Sequence, residues 1–82
     1  MAYVHNSAMP NKSAHLEIFG HNVRRLRESL RISQEELAHR AGIHRTYVGG
    51  IERGERNIGV MNVVKLARAL GIKPSELWRG IE

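Results

Sequence analysis

The twenty residues Gln34 to Arg53, QEELAHRAGIHRTYVGGIER, constrain this chain more than any other stretch of it. Ser33 stands before them and is followed by Gln34, Glu35 and Glu36, the signature of a capped helix start. Its hydroxyl is placed to take an amide proton, and Glu36, three residues on, to reach back. Leu37, Ala38 and Ala41 then share one helical face, and Gly42 follows as a residue able to take the left-handed conformation. A further helix of about ten residues, His44 to Arg53, carries Tyr47, Val48 and Ile51 at spacings of three and four and ends at Gly54. Ala38 falls where two helices cross steeply and a larger side chain would force them apart, while Leu37, Ile43, Val48 and Ile51 close the space between them. Two short helices joined by a glycine turn in this way form a helix-turn-helix, which leaves the outer face of its second helix free to enter a major groove. Two packed helices with no nucleic-acid role would ask for the same residues. The pattern therefore fixes shape, and the exposed side chains must carry function.

The rest of the chain supports this unit. From Leu16 onward the apolar residues fall at helical spacing, with no sustained alternation of period two, so the expected fold class is all-α. A first helix, roughly His15 to Arg31, sets Phe19, Val23, Leu26 and Leu30 in one stripe. Gly20 inside it costs about 1 kcal/mol relative to alanine. After the polar loop Gly54 to Gly59, the residues Val60, Val63, Val64, Ala67 and Leu70 set another helical face that stops at Gly71. Pro74 suits the first position of a last short helix containing Leu77 and Trp78, ended by Gly80. The expectation is a compact five-helix domain over residues 15–82. Residues 1–14, which mix Asn, Ser and Pro10 without apolar period, are expected to be a flexible N-terminal arm.

Composition excludes several alternatives. Eighty-two residues allow one core, and the absence of cysteine removes both a disulfide scaffold and a thiolate zinc site. With only four aromatics, Tyr3, Phe19, Tyr47 and Trp78, the core must be aliphatic. No apolar run is long enough to span a membrane, and the first twenty residues lack a basic start followed by an apolar stretch, so the expected compartment is the cytoplasm. Thirteen Lys and Arg against eight acids give a formal charge of +5, and ten of the thirteen are arginine. Arginine's planar fork matches phosphate oxygens and the guanine edge, so an anionic partner is permitted though not required. The five histidines, His5, His15, His21, His39 and His44, contain no H-E-x-x-H and no pair at i, i+4, and the chain has no aspartate. Neither catalysis nor a metal is expected, and no cofactor or small-molecule ligand.

From about Phe19 to Trp78 the sequence resembles the Xre-type helix-turn-helix family, the group of the phage lambda-type repressors and Cro proteins. The stretch His44 to Ile58, HRTYVGGIERGERNI, is most similar to that of the controller proteins of restriction-modification systems. Many other Xre-type regulators share IERG followed by a polar loop and KLARALG. The resemblance implies a lambda-repressor-like domain and a sequence-specific, DNA-binding transcriptional regulator. It places Gln34 where the family grips a backbone phosphate with side chain and amide, a role that helix N-termini favour. It places Arg45 and Thr46 at base-reading positions and Arg56 in a loop beside the DNA backbone. Arg45 also has the right chemistry, since arginine bonds bidentately to guanine O6 and N7 for about 1–3 kcal/mol of discrimination. Gly49 and Gly50 depart from repressors with longer polar residues there. Either their bare backbone sits close to DNA or they relieve a crowded packing contact. His44 is a phosphate or base contact, or simply the helix cap. Arg27 and Glu52 resemble a family pair that ties the first helix to the third and fixes the angle between them.

A single recognition helix touches too few base pairs for a unique address, so a homodimer on an inverted repeat is expected. The family's dimer surface lies near the C-terminus, where Leu77, Trp78 and Ile81 are large apolar groups; Trp78 equally suits core closure. The competing class is an interaction module, antitoxin-like, that binds DNA only secondarily.

Overall fold

The computed structural model describes residues 13–82, and among these it contains four α-helices, one 3-10 helix and no strand. Helix α1 spans Ala14–Ser29, α2 Gln34–Ala41, α3 Arg45–Glu52 and α4 Val60–Leu70, and the 3-10 turn covers Pro74–Trp78. The all-α expectation holds, but the count of five α-helices is corrected to four. Pro74 opens the last segment as anticipated, yet the segment never becomes an α-helix. The buried Asn22 side chain on α1 donates to the carbonyls of Leu77 (3.0 Å) and Arg79 (2.8 Å). Those contacts fasten the tail of the chain to α1 and engage acceptors that a longer helix would use internally.

Local chemistry sets the other boundaries. Ser13 Oγ accepts the Leu16 N–H (3.1 Å), so α1 begins at Ala14, inside the stretch read as an arm. Residues 1–12 of that arm lie outside the described residues. At its other end α1 stops at Ser29, two residues earlier than its spacing suggests, because Arg31 takes the left-handed region (φ 59°) without a glycine to announce it. Ser33 caps α2 as predicted, accepting the Glu36 N–H at 3.0 Å. The reciprocal half of the capping box is absent, since the Glu36 carboxylate bonds Arg40 Nε (2.8 Å) one turn on. Gly42, at φ 72°, makes the turn into α3.

One aliphatic core holds the elements together. Phe19 and Val23 of α1, Leu37, Ala38 and Ala41 of α2, Val48 and Ile51 of α3, and Val63, Leu66, Ala67 and Leu70 of α4 are buried, and Leu77 closes the end. Fully burying one of the larger aliphatics contributes about 1.5–3 kcal/mol. The α4 face differs from the expected one: its inward stripe is 63, 66, 67 and 70, at helical steps of three, one and three, which turns Val60 to the outside at 78% exposure. Leu30, predicted to extend the α1 stripe, lies beyond the helix and is also exposed.

Gly20 has a reason that periodicity does not reveal. A β-carbon there would collide with the backbone carbonyl oxygens of Ile51 and Glu52 at the end of α3. Helix α1 thus passes backbone-to-backbone against α3, and that contact fixes where α3 sits. With α2 against its other flank, α3 is braced on two sides.

Candidate nucleic-acid interface

Helix α3 buries Val48 and Ile51 and turns His44, Arg45 and Thr46 to solvent. His44 occupies the N-cap position with extended backbone (φ −74°, ψ 142°), but its side chain makes no capping hydrogen bond. Its carbonyl accepts the N–H groups of Tyr47 (3.0 Å) and Val48 (3.1 Å). Arg45 and Thr46 are the first two helical residues, whose amides have no acceptor one turn back. Exposed donors, the positive end of the helix and a guanidinium therefore converge at one place, an arrangement suited to an anion or to a base edge.

The two glycines lie one turn below these residues on the same face, Gly49 beneath Arg45 and Gly50 beneath Thr46. Both are buried, because arginines from the helix end fold back over them. A β-carbon at Gly49 would stand 3.1 Å from Arg53 Nη1 and 3.5 Å from Gln34 Oε1. One at Gly50 would stand 2.8 Å from Arg56 Cγ and 3.0 Å from its Nε. The guanidinium carbon of Arg56 lies 5.8 Å from the Tyr47 ring centroid, within cation–π range. Of the two alternatives at the glycines, the structure shows the crowded packing contact, and what crowds them is arginine. Neither spacing nor motif marks Arg53; only the fold brings its side chain back along the helix, where it also pairs with Glu55 (3.0 Å).

Behind α3 lies the polar brace. Glu52 accepts from Arg27 Nε (2.7 Å) and Nη2 (3.0 Å), and from Gln34 Nε2 (2.9 Å). Arg27 Nη1 donates to the Ile32 carbonyl (2.8 Å), so one guanidinium links α1, the turn into α2 and α3. The hydrogen bond to Glu52 raises the Arg27 pKa above its ordinary value, against a smaller opposing effect of burial. The predicted pair is thus joined by Gln34, whose side chain is turned to Glu52 and not outward as a phosphate grip requires, while its backbone amide stands at the start of α2.

The family model described as Helix-turn-helix matches residues 23–77. The chain belongs to the Xre-type helix-turn-helix family. Over 61 residues it is 46% identical to the control protein C.BamHI of Bacillus amyloliquefaciens, covering 73% of this chain and 75% of that protein. It is 44% identical over 61 residues to C.SmaI of Serratia marcescens, covering 74% and 73%. The crystal structure of the restriction-modification controller protein C.AhdI from Aeromonas hydrophila superposes with a TM-score of 0.78 at 51% identity, covering 79% of this chain and 98% of that one. This member of the Xre-type family is thus a helix-turn-helix DNA-binding regulator close to restriction-modification controller proteins.

The three C-terminal residues expected at a dimer surface separate in the Xre-type fold. Leu77 is 0% exposed and belongs to the core, which corrects its assignment, since a side chain closing its own domain has no surface to offer. Trp78 remains 44% exposed while its ring packs edge-on against Phe19 at 5.6 Å, and Ile81 is half-buried. Val60 and Met61 form an exposed apolar pair that spacing alone does not show, because packing sets the rotation of α4 about its axis. Among the described residues no group of three His, Cys, Asp or Glu is placed to hold a metal ion, and no helix is long and apolar enough to cross a membrane.

Proposed function

We propose that this protein is a sequence-specific transcriptional regulator of the restriction-modification controller type, binding an inverted-repeat operator in the cytoplasm as a homodimer. The reading is carried by one observation: Arg45 and Thr46 stand exposed at the open N-terminal end of a helix whose other side is clamped into the core. Arg45 reads a guanine through O6 and N7, Thr46 reads a neighbouring base edge or thymine methyl, and His44 lies beside them. The amide end of α2 at Gln34 and the Arg56 side chain hold the flanking phosphates, setting register without reading sequence.

A second copy supplies the rest of the address, because one module covers too few base pairs. Its surface combines Trp78 and Ile81 with the outward pair Val60 and Met61, which are 78% and 66% exposed. Twofold symmetry then places the half-sites about one helical turn apart.

Selecting bound duplexes from a random pool tests the reading directly. The expected product is a single sequence with twofold symmetry and a guanine at one fixed position of each half. Enrichment of no sequence, or of an asymmetric one bound by a monomer, overturns it.

A further inference from the structure

We propose that Gly50 and Tyr47 are positioning residues that hold Arg56 in a preset pose on the DNA-facing side of α3. The inference rests on the DNA-binding reading and adds to it how a loop arginine comes to be ready for a phosphate. The observations form a chain. The Glu55 N–H bonds the Gly50 carbonyl (2.9 Å), which pins the start of the loop to the last turn of α3. The next residue, Arg56, then runs back along the helix, and its stem occupies the volume that any side chain at position 50 would need. Its guanidinium ends over the Tyr47 ring, 5.8 Å from the centroid. The ring in turn is held from α4, where Asn62 Nδ2 donates to the Tyr47 hydroxyl at 3.4 Å.

The pose matters because position 50 lies one turn below Thr46 on the same helical face. Folded there, Arg56 places its charge beside the base-reading end instead of sweeping solvent from a loop. A long side chain already confined to one pose loses less freedom when it meets a phosphate, so its contact contributes more to affinity. Glycine at position 50 is then a place reserved for the arginine stem rather than an opening for the DNA backbone. The two alternatives predict different couplings.

The decisive experiment compares the full-length wild type with Gly50→Ala, Arg56→Ala and the double variant on a short random-sequence duplex across a salt series. Alanine is the better helix former, so Gly50→Ala keeps α3 folded, as thermal unfolding will verify. In the presence of Arg56 the alanine should weaken binding about two- to fivefold, and it should lower the slope of log affinity against log salt by about one. In the Arg56→Ala background it should change neither. In DNA-free protein, the Arg56 Cδ protons should show an aromatic ring-current shift that Tyr47→Phe preserves and Gly50→Ala abolishes. An equal loss in both backgrounds means that DNA itself needs the bare backbone, and it overturns the proposal while leaving DNA binding intact. Absence of the ring-current shift in the wild type also overturns it. Failure of the wild type to bind any duplex sinks the DNA-binding reading together with this one.

Discussion

Glu52 and Arg27 meet as a two-pronged ion pair, with Nε and Nη2 of the arginine 2.7 and 3.0 Å from the two carboxylate oxygens. Their side chains are only 3% and 11% exposed, so each charge depends on the other for the solvation it has lost. Glu52→Ala leaves the guanidinium buried and unpaired, and should cost about 3–5 kcal/mol in chemical denaturation. Replacing both partners by apolar residues of similar volume should recover much of that loss. A single-variant loss below about 1 kcal/mol, the range of an exposed pair, would show that the brace is dispensable.

Gly20→Ala should destabilise although alanine favours helix by about 1 kcal/mol. The new β-carbon meets the Ile51 and Glu52 carbonyls, which are backbone and cannot swing aside. Separating α1 from α3 should cost about 3 kcal/mol, or about 2 kcal/mol net of that gain, and should carry α3 outward with it. Thermal unfolding reads the loss, and a variant more stable than wild type contradicts the close approach.

These two positions mark what a sequence can and cannot disclose. The Arg27 and Glu52 pairing was legible through family resemblance, and Ser33, Gly42 and Gly71 marked helix ends through local chemistry. Gly20 looked like a weak helix position, because a contact between backbones leaves no trace in the periodicity of either segment. Arg31 carries no turn signature, so helical spacing alone runs α1 two residues too far. At the proposed interface, Arg45 and Thr46 come from the family resemblance, with the chemistry of arginine in agreement. The covering of Gly49 and Gly50 by Arg53 and Arg56 did not, since it depends on the loop reversing at Gly54 (φ 76°). Leu77 and Val60 exchanged their expected environments because the rotation of a short segment about its axis is set by tertiary packing.

The Glu36 and Arg40 pair on the outside of α2 has a measurable titration. Its hydrogen bond from Arg40 holds the Glu36 carboxyl below the usual glutamate range. A lowered carboxyl value means that the unfolded chain takes up its proton first as pH falls. The contribution of this pair is therefore complete above the ordinary glutamate range and vanishes as pH drops through the lowered midpoint. Carboxyl-carbon NMR should find that midpoint below normal, and Arg40→Gln should return it to normal. An unchanged midpoint in the variant would show that the hydrogen bond does not govern it.

Dimer formation and folding should respond to different residues on the apolar surface. Met61→Glu changes a side chain that is 66% exposed, so it should leave thermal stability nearly unchanged while shifting sedimentation to the monomer. Trp78→Ala removes the edge-on contact with Phe19 as well, and should lower stability by about 1 kcal/mol in addition to weakening association. If both variants sediment as the wild type does, the second copy docks elsewhere.

Arg45 and Arg56 should divide the binding energy into two kinds. Arg45 stands at the exposed first position of α3, the place for a fork of donors in the proposed base reading, so Arg45→Ala should cost about 1–3 kcal/mol on the preferred duplex. On random duplexes it should cost little, and preference at one base pair of each half-site should disappear. Arg56 folds along α3 with its stem against Gly50 and its guanidinium over the Tyr47 ring, a charge we assign to phosphate rather than to a base edge. Arg56→Ala should weaken preferred and random duplexes alike and reduce the salt slope by about one per protomer. The ratio of specific to random affinity, measured for both variants at a single salt concentration, separates the two roles. A ratio that falls equally for both would mean that each arginine reads sequence, and one that falls for neither would move base recognition away from the start of α3.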